Sequence, residues 1–283
     1  MKRNGIKTFF KKFIHHKAAA VALVLFFLEL AAILILPGAL HLDAVTSDFL
    51  NMAKGPSAEH IWGTDEIGRD IFARVLYGGR ISLIVGICST ALSIAIGLPL
   101  GVIAGYYQGA VGNFIMRLVD MFMSFPSMVL SLVLVTVLEP SMWTVIFAIG
   151  FLGWTRPCKL LYGSVMATKG REYVEAAVTL GYSNRKILMK YVIPNSLSPL
   201  WVSLAFMISS AIITESSLSF LGAGIQPPQS SWGNLIYAAQ QFDVLTTKVW
   251  MWIPACIVLL ITVVCINLIG EGIRDALDPK MRR

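Results

Sequence analysis

The chain has 283 residues, 56% of them hydrophobic and 14% charged, with a mean hydropathy of +0.72. Soluble domains carry charge on close to a quarter of their residues, so this composition excludes an ordinary soluble domain and indicates a polytopic membrane protein. The net charge of +7 is read as a topology signal, since basic residues gather on the cytoplasmic side of a membrane, and gives no reason to infer nucleic-acid binding.

Lysines precede the first apolar run, 18–36. At about 19 residues it exceeds the apolar region of a signal peptide, so it reads as an uncleaved first span. Glu29 lies within it and is expected to be satisfied by a neighbouring helix rather than to relay protons. A loop at 37–80 follows, rich in carboxylates. Within it Asp65 is expected to cap a short amphipathic helix with Ile67, Ile71 and Val75 on its apolar face, and Gly78-Gly79 to stop that helix. Such a helix would lie on the outer membrane surface and aim the second span. His60 among these carboxylates matches no metal-ligand spacing, so no metal site is expected.

The second span, 81–104, leads into a stripe of Gly97, Gly101 and Gly105 with Pro99 between them, a spacing that lets helices pack closely in lipid. The third, 114–138, carries Arg117 and Asp120 at i and i+3, where they can pair. The fourth, 143–154, is short and must continue past Arg156, Pro157 and Lys159, with both cations snorkelling to the cytoplasmic interface. The fifth, 200–220, bears Thr214, Glu215, Ser216, Ser217 and Ser219. Polar groups clustered there are costly against lipid. Two readings stay open: Glu215, Ser216 and Ser219 line or gate a translocation path, or they hold helices together. The sixth span is 249–270, and beyond it Arg274 can clip between Glu271 and Asp278.

Six spans with both termini inside place Lys2, Arg3, Lys7, Lys11, Lys12, Lys17, Arg117, Arg156, Lys159, Lys169, Arg171, Arg185, Lys186, Lys190, Arg274, Lys280, Arg282 and Arg283 in the cytoplasm. Only Lys54, Arg69, Arg74, Arg80 and Lys248 fall outside. Cys88, Cys158, Cys256 and Cys265 form no CxxC pair, so neither a disulfide framework nor a zinc site is suggested.

One stretch, 171–194, is too polar to span, because each charge at a bilayer centre costs about 2.5–3.5 kcal/mol. It reads as a helix, a break and a second helix. Tyr173, Ala176, Ala177 and Leu180 share a face, Gly181 ends the first helix, Ser183 or Asn184 caps the second, and Pro194 closes it. The small pair Ala176 and Ala177 beside Glu175 suits a helix lying in another protein's groove.

This pattern, Glu175-Ala176-Ala177, Gly181, Tyr191 and Ile193-Pro194, resembles the EAA loop of ABC importer permeases. Tyr191 and Ile193 stand where Ile and Leu are usual. The run from His60 through Gly63-Thr64-Asp65 and Gly68-Arg69-Asp70 to Arg74 resembles the HxxGTDxxGRDxxSR motif of the dipeptide, oligopeptide and nickel branch, with Ala73 in place of serine. The stretch from Leu218 to Gly233 resembles that branch's LSFLGLGxQPPxPSWG, with Ala223 and Ser230 substituted. Arg274-Asp275 and Leu277-Asp278-Pro279 match its RDxLDP ending.

The resemblance implies an all-α, type I importer-like fold of about six transmembrane helices in a bacterial inner membrane. Residues 1–17 would be a cytoplasmic basic terminus and 18–80 the first helix with its outer loop. Residues 81–270 would be the permease core, with a cytoplasmic EAA loop at 167–198, and 271–283 a cytoplasmic tail. It implies a non-catalytic subunit coupled to ATPases through Glu175, Ala176, Ala177, Leu180, Gly181 and Pro194. Its partners would be a second permease subunit, two ATP-binding subunits and an extracytoplasmic solute-binding protein. The chain has no G-x-x-x-x-G-K-[ST] loop, so no cofactor is expected on it, and ATP and Mg would be bound by partner chains. Peptides, nickel and metal chelates are all carried in the branch; the run Met121-Phe122-Met123-Ser124-Phe125-Pro126 leans slightly towards its metal-type members, while the spans hold no histidine to line a bare-ion path. An ion-coupled single-chain transporter is the alternative, but it calls for matched inverted repeats that the sequence lacks. A third reading is a structural membrane scaffold.

Overall fold

The computed structural model describes residues 13–277. Lys2, Arg3, Lys7, Lys11, Lys12, Asp278, Pro279, Lys280, Arg282 and Arg283, used above for topology and family pattern, lie outside the described residues. In chain order the helices are α1 (Lys17–Ala39), α2 (Ile71–Tyr107), α3 (Gly109–Met123), α4 (Ser127–Val137), α5 (Met142–Gly153), α6 (Thr155–Lys169) and α7 (Glu172–Thr179). Then come α8 (Asn184–Ile187), a π-turn (Leu188–Val192), α9 (Ile193–Ser196), α10 (Ser198–Phe220), α11 (Trp232–Tyr237), α12 (Phe242–Thr246) and α13 (Ile253–Leu277). Among the described residues α1, α2, α10 and α13 are long and apolar enough to cross a membrane singly, and α3 with α4 qualifies as a bent pair. The apolar α5, continued by α6 past Trp154, accounts for the remaining expected span.

The long α2 is the pillar of the fold: α6 and α5 pack along it, as do α10 and α1, and α13 closes against α1 and α10. The glycine stripe explains the closest of these approaches. A Cβ at Gly101 would lie 2.5 Å from the Cys158 carbonyl oxygen and one at Gly105 2.7 Å from that of Tyr162, so the α6 backbone rests directly on α2. Packing of this kind replaces the hydrophobic drive that lipid removes.

Several expectations are corrected. No separate surface helix forms before the second span. Asp70, not Asp65, caps α2 by accepting from Ala73 N at 2.8 Å, and the helix runs unbroken through Gly78-Gly79. Those glycines make room instead of stopping the helix: a Cβ at Gly79 would lie 2.8 Å from Ile33 Cδ1 and 2.9 Å from the Trp232 ring. Asp65 organises the preceding turn, where Oδ1 accepts from Ile67 N and Arg69 N while Oδ2 meets Arg69 Nε at 2.7 Å.

The third span bends by 80° between α3 and α4. Pro126 stands at the break in an extended conformation and has no N–H to continue the ladder. No Arg117–Asp120 pair occurs among the described residues; Asp120 faces Lys159 at 4.0 Å, an exposed and therefore weak contact. Arg156 is exposed and donates to Ser210 Oγ at 3.3 Å. Pro194 closes nothing: it sits in the first turn of α9, where its missing N–H is tolerated, and the preceding π-turn carries the chain on towards α10. At the other end, no Arg274 ion pair is found among the described residues. Asp275 lies 3.6 Å from His16, whose other ring nitrogen accepts from Ala19 N and caps α1.

Candidate functional site

The segment singled out by its polarity folds as expected in its first half. Glu172 and Glu175 occupy the first turn of α7, where carboxylates complement the helix dipole. At the far end Gly181 adopts φ +74°, with Gly181 N donating to Val178 O and Tyr182 N to Ala177 O. That pair of bonds is a Schellman stop, which needs a residue at ease in the left-handed region. Ser183 occupies the cap position of α8 without a side-chain capping bond.

The burial pattern divides the apolar face. Val174 and Ala177 are buried and pack with Val102, Tyr106, Val165 and Ile187. Tyr173, Glu175, Ala176, Val178 and Leu180 remain exposed, Leu180 at 71%. Ala177 is thus spent on internal packing, whereas Tyr173, Ala176 and Leu180, at i, i+3 and i+7, form an outward ridge. Beside the ridge is a groove of about 510 Å³ whose walls include Tyr106, Lys169, Glu175 and Val178. Lys169 Nζ donates to Tyr106 O at 2.7 Å and braces that wall.

Glu215 lies in the bundle and is fully buried. It accepts from Ser82 Oγ at 2.9 Å and Ser219 Oγ at 2.8 Å, with Ser216 Oγ at 3.4 Å. Ser82 Oγ in turn accepts from Trp232 N, and Trp232 Nε1 donates to Val75 O. The carboxylate therefore ties α10, α2 and the start of α11 together, which is the helix-holding geometry of the two readings left open.

A different face of α10 meets a cavity of about 250 Å³. Thr90 and Ser93 of α2, Ser127 and Ser131 of α4, and Ser210 and Thr214 of α10 contribute hydroxyls to its wall, with Arg156 at the start of α6. The sequence signal for this face was available: Ser210, Thr214 and Ser217 recur at i, i+4 and i+7, a helical stripe separate from Glu215 and Ser219. Ser217 is not among the lining residues.

On the opposite flank His60 Nδ1 lies 2.8 Å from Asp70 Oδ2, and Arg74 lies 3.5 Å from Asp65 Oδ2. Thr64 is buried and its backbone oxygen accepts from Trp250 Nε1. These residues knit the loop to the start of α2, and among the described residues no cluster suited to a metal ion is found.

A bundle built on one glycine-striped helix, with a polar cavity between spans and an amphipathic helix projecting from the membrane helices, defines a polytopic α-helical membrane protein. The fold agrees with a solved transporter: the chain superimposes on a chain of an inward-facing MetNI methionine ABC transporter with a TM-score of 0.61 at 15% identity, covering 72% of this chain and 97% of that one. Residues 97–283 match the model of the binding-protein-dependent transport system inner membrane component family. The chain is 35% identical over 273 residues to the oligopeptide transport system permease protein OppC of Bacillus subtilis (strain 168), spanning 96% of this chain and 88% of that protein. It is 34% identical to the di/tripeptide transport system permease protein DppC of Pseudomonas aeruginosa (strain UCBPP-PA14), spanning 98% and 93%. The chain belongs to this family: it is a multi-pass permease subunit of an ABC importer of the inner membrane.

Proposed function

We propose that the chain forms half of a translocation path for di- and oligopeptides, with nickel or metal chelates as the second cargo class, and that it takes its driving force from separate ATPase subunits through α7. Peptides are favoured because the relatives over nearly its whole length are peptide permeases. The observation that carries the coupling is the outward ridge of Tyr173, Ala176 and Leu180 beside a stop at Gly181. Burying a large apolar side chain contributes about 1.5–3 kcal/mol, so an unburied Leu180 and Tyr173 on a short rigid helix suit a partner's groove. ATP-driven closure of the partner domains would displace α7 and, through Val174 and Ala177, the α2–α6 pair, giving alternating access. ATP and Mg stay on the partners, and an extracytoplasmic solute-binding protein delivers the cargo. In this orientation both termini and α7 face the cytoplasm.

The test is Gly181→Arg in the assembled importer. No neighbouring atom lies within 4 Å of the added Cβ, and the left-handed φ costs an L-residue about 1–2 kcal/mol, so folding should survive. The expected result is normal membrane insertion with ATP hydrolysis disconnected from uptake; undiminished uptake would refute the coupling role. Uptake that persists after ATP depletion while an ion gradient is kept would instead favour a secondary transporter.

A further inference from the structure

The cavity between α2, α4 and α10 contains one charged side chain, Arg156, and its lining includes neither Asp, Glu, His nor Cys. Its height can be read from the helices around it: Ser210 lies near the middle of α10 (Ser198–Phe220) and Thr90 near the middle of α2 (Ile71–Tyr107). Arg156 is exposed at the cavity, and a guanidinium at membrane depth normally faces the bundle interior or a water-filled cavity and pairs with a carboxylate. Here the described partner is a neutral hydroxyl, Ser210 Oγ at 3.3 Å, and no acidic side chain lies within ion-pair distance of Arg156 among the described residues. A second polar group is also unspent, since Thr90 Oγ1 is buried in the cavity wall with no hydrogen-bond partner.

We infer that Arg156 makes this cavity a subsite for a carboxylate on the transported solute, with the surrounding hydroxyls meeting the solute's amide groups. The inference rests on the proposed peptide-transport function and names the part of the peptide that is recognised. A guanidinium presents a planar fork that matches a carboxylate with two parallel hydrogen bonds. Ser131 and Ser210 can each donate to a peptide carbonyl or accept from an amide N–H, whereas Ser93 and Thr214, whose hydroxyls already donate to Gly150 O and Ser210 O, keep lone pairs for an amide N–H; none offers a pocket shaped to one side chain. Such a lining accepts many sequences while requiring a free C-terminal carboxylate. It disfavours a bare divalent cation, which would meet a positive charge and only neutral oxygens. At about 250 Å³ the cavity falls just under the usual range of ligand pockets, about 300–1,000 Å³, as expected of a site completed by a second permease subunit.

The experiment uses the complete importer with its ATPase subunits and solute-binding protein in proteoliposomes, comparing wild type with Arg156→Gln and Arg156→Lys. The probes are labelled tri-L-alanine and its C-terminal amide, and the readout is the ratio of their initial uptake rates. The binding protein's own preference is common to all three importers and cancels when ratios are compared. The expected result is a ratio at least fivefold lower in Arg156→Gln and largely recovered in Arg156→Lys. If the wild type shows no measurable amide uptake, amide uptake appearing in Arg156→Gln supports the subsite, and its continued absence overturns it. An unchanged ratio, whether or not both rates fall, overturns the subsite while leaving peptide transport standing. Failure of the wild type to take up tri-L-alanine with ATP overturns the transport reading and the subsite with it.

Discussion

Replacing Gly101 by alanine tests the packing on which the bundle depends, because the damage can be worked out from two distances. The new Cβ would stand 2.5 Å from the Cys158 carbonyl oxygen and 3.0 Å from Leu161 Cβ, both on α6. Restoring ordinary contact requires α6 to retreat by about 0.5–1 Å, a gap that forfeits about a quarter to a half of each dispersion contact along the interface. Overpacking of this kind costs about 1–3 kcal/mol. The same substitution removes a helix-weakening glycine, which in a soluble helix returns about 0.8–1 kcal/mol. Gly163→Ala isolates that second effect, since Gly163 lies in α6 with nothing within 4 Å of an added Cβ. Unfolding of the purified protein in mixed micelles should therefore rank Gly163→Ala at or above wild type and Gly101→Ala below it. The two variants should differ by about 1–3 kcal/mol, the overpacking cost alone. Equal stability of the two alanines would refute the claim that the α6 backbone rests directly on the α2 glycines at this stripe.

Three further outcomes are expected. Glu215→Ala should cost about 1–3 kcal/mol in the same assay, because Ser82 and Ser219 lose their acceptor in a buried site, and Glu215→Gln should cost less because it keeps one; a glutamine variant that is stable yet cannot transport would favour the path reading of Glu215 over the helix-holding one. Asp70→Ala should cost about 1 kcal/mol through the lost α2 cap, with increased hydrogen exchange in residues 71–74; unchanged exchange there would assign the cap elsewhere. In the loop at α12, hydrogen bonds from Lys248 and then Thr247 hold the Asp243 carboxyl below the usual carboxylate range. A depressed carboxylate stabilises above its unfolded pKa and loses that contribution as pH falls through its folded value, so protection of residues 243–248 should persist near neutrality and fade below about pH 4. Protection independent of pH would show that this pair does not order the loop.

The spans were legible because long apolar runs leave few alternatives, and the glycine stripe because its fourfold spacing has one good use in lipid. What the sequence concealed has a common origin in residues with two legitimate roles. Gly78-Gly79 reads as a helix stop, yet within α2 the glycines admit Ile33 and Trp232 from segments distant in the chain. Asp65 and Asp70 are equally good caps by residue type, and only the fold decides that the first serves a turn. Pro194 reads as a terminator, but a π-turn upstream makes its position a beginning. Pro126 breaks the third span although apolar residues continue on both sides of it, so hydropathy alone does not mark the bend. On α10 Glu215 stands out by its charge, whereas the uncharged Ser210 and Thr214 face the cavity. In the EAA segment the order of elements was legible, but the division of its apolar face was not, since Ala176 and Ala177 are alike until Val102 and Val165 cover one of them.

The central claim is that the outward ridge of α7 is a cytoplasmic surface covered by an ATPase partner. It is tested most directly by placing a cysteine at Ala176 and labelling it with a membrane-impermeant maleimide, against a background of four native cysteines none of which is exposed. Labelling should occur in inside-out vesicles and not in right-side-out ones, and should be suppressed when the ATPase subunits are bound. Labelling from the outer side, or labelling indifferent to the ATPase subunits, would contradict it.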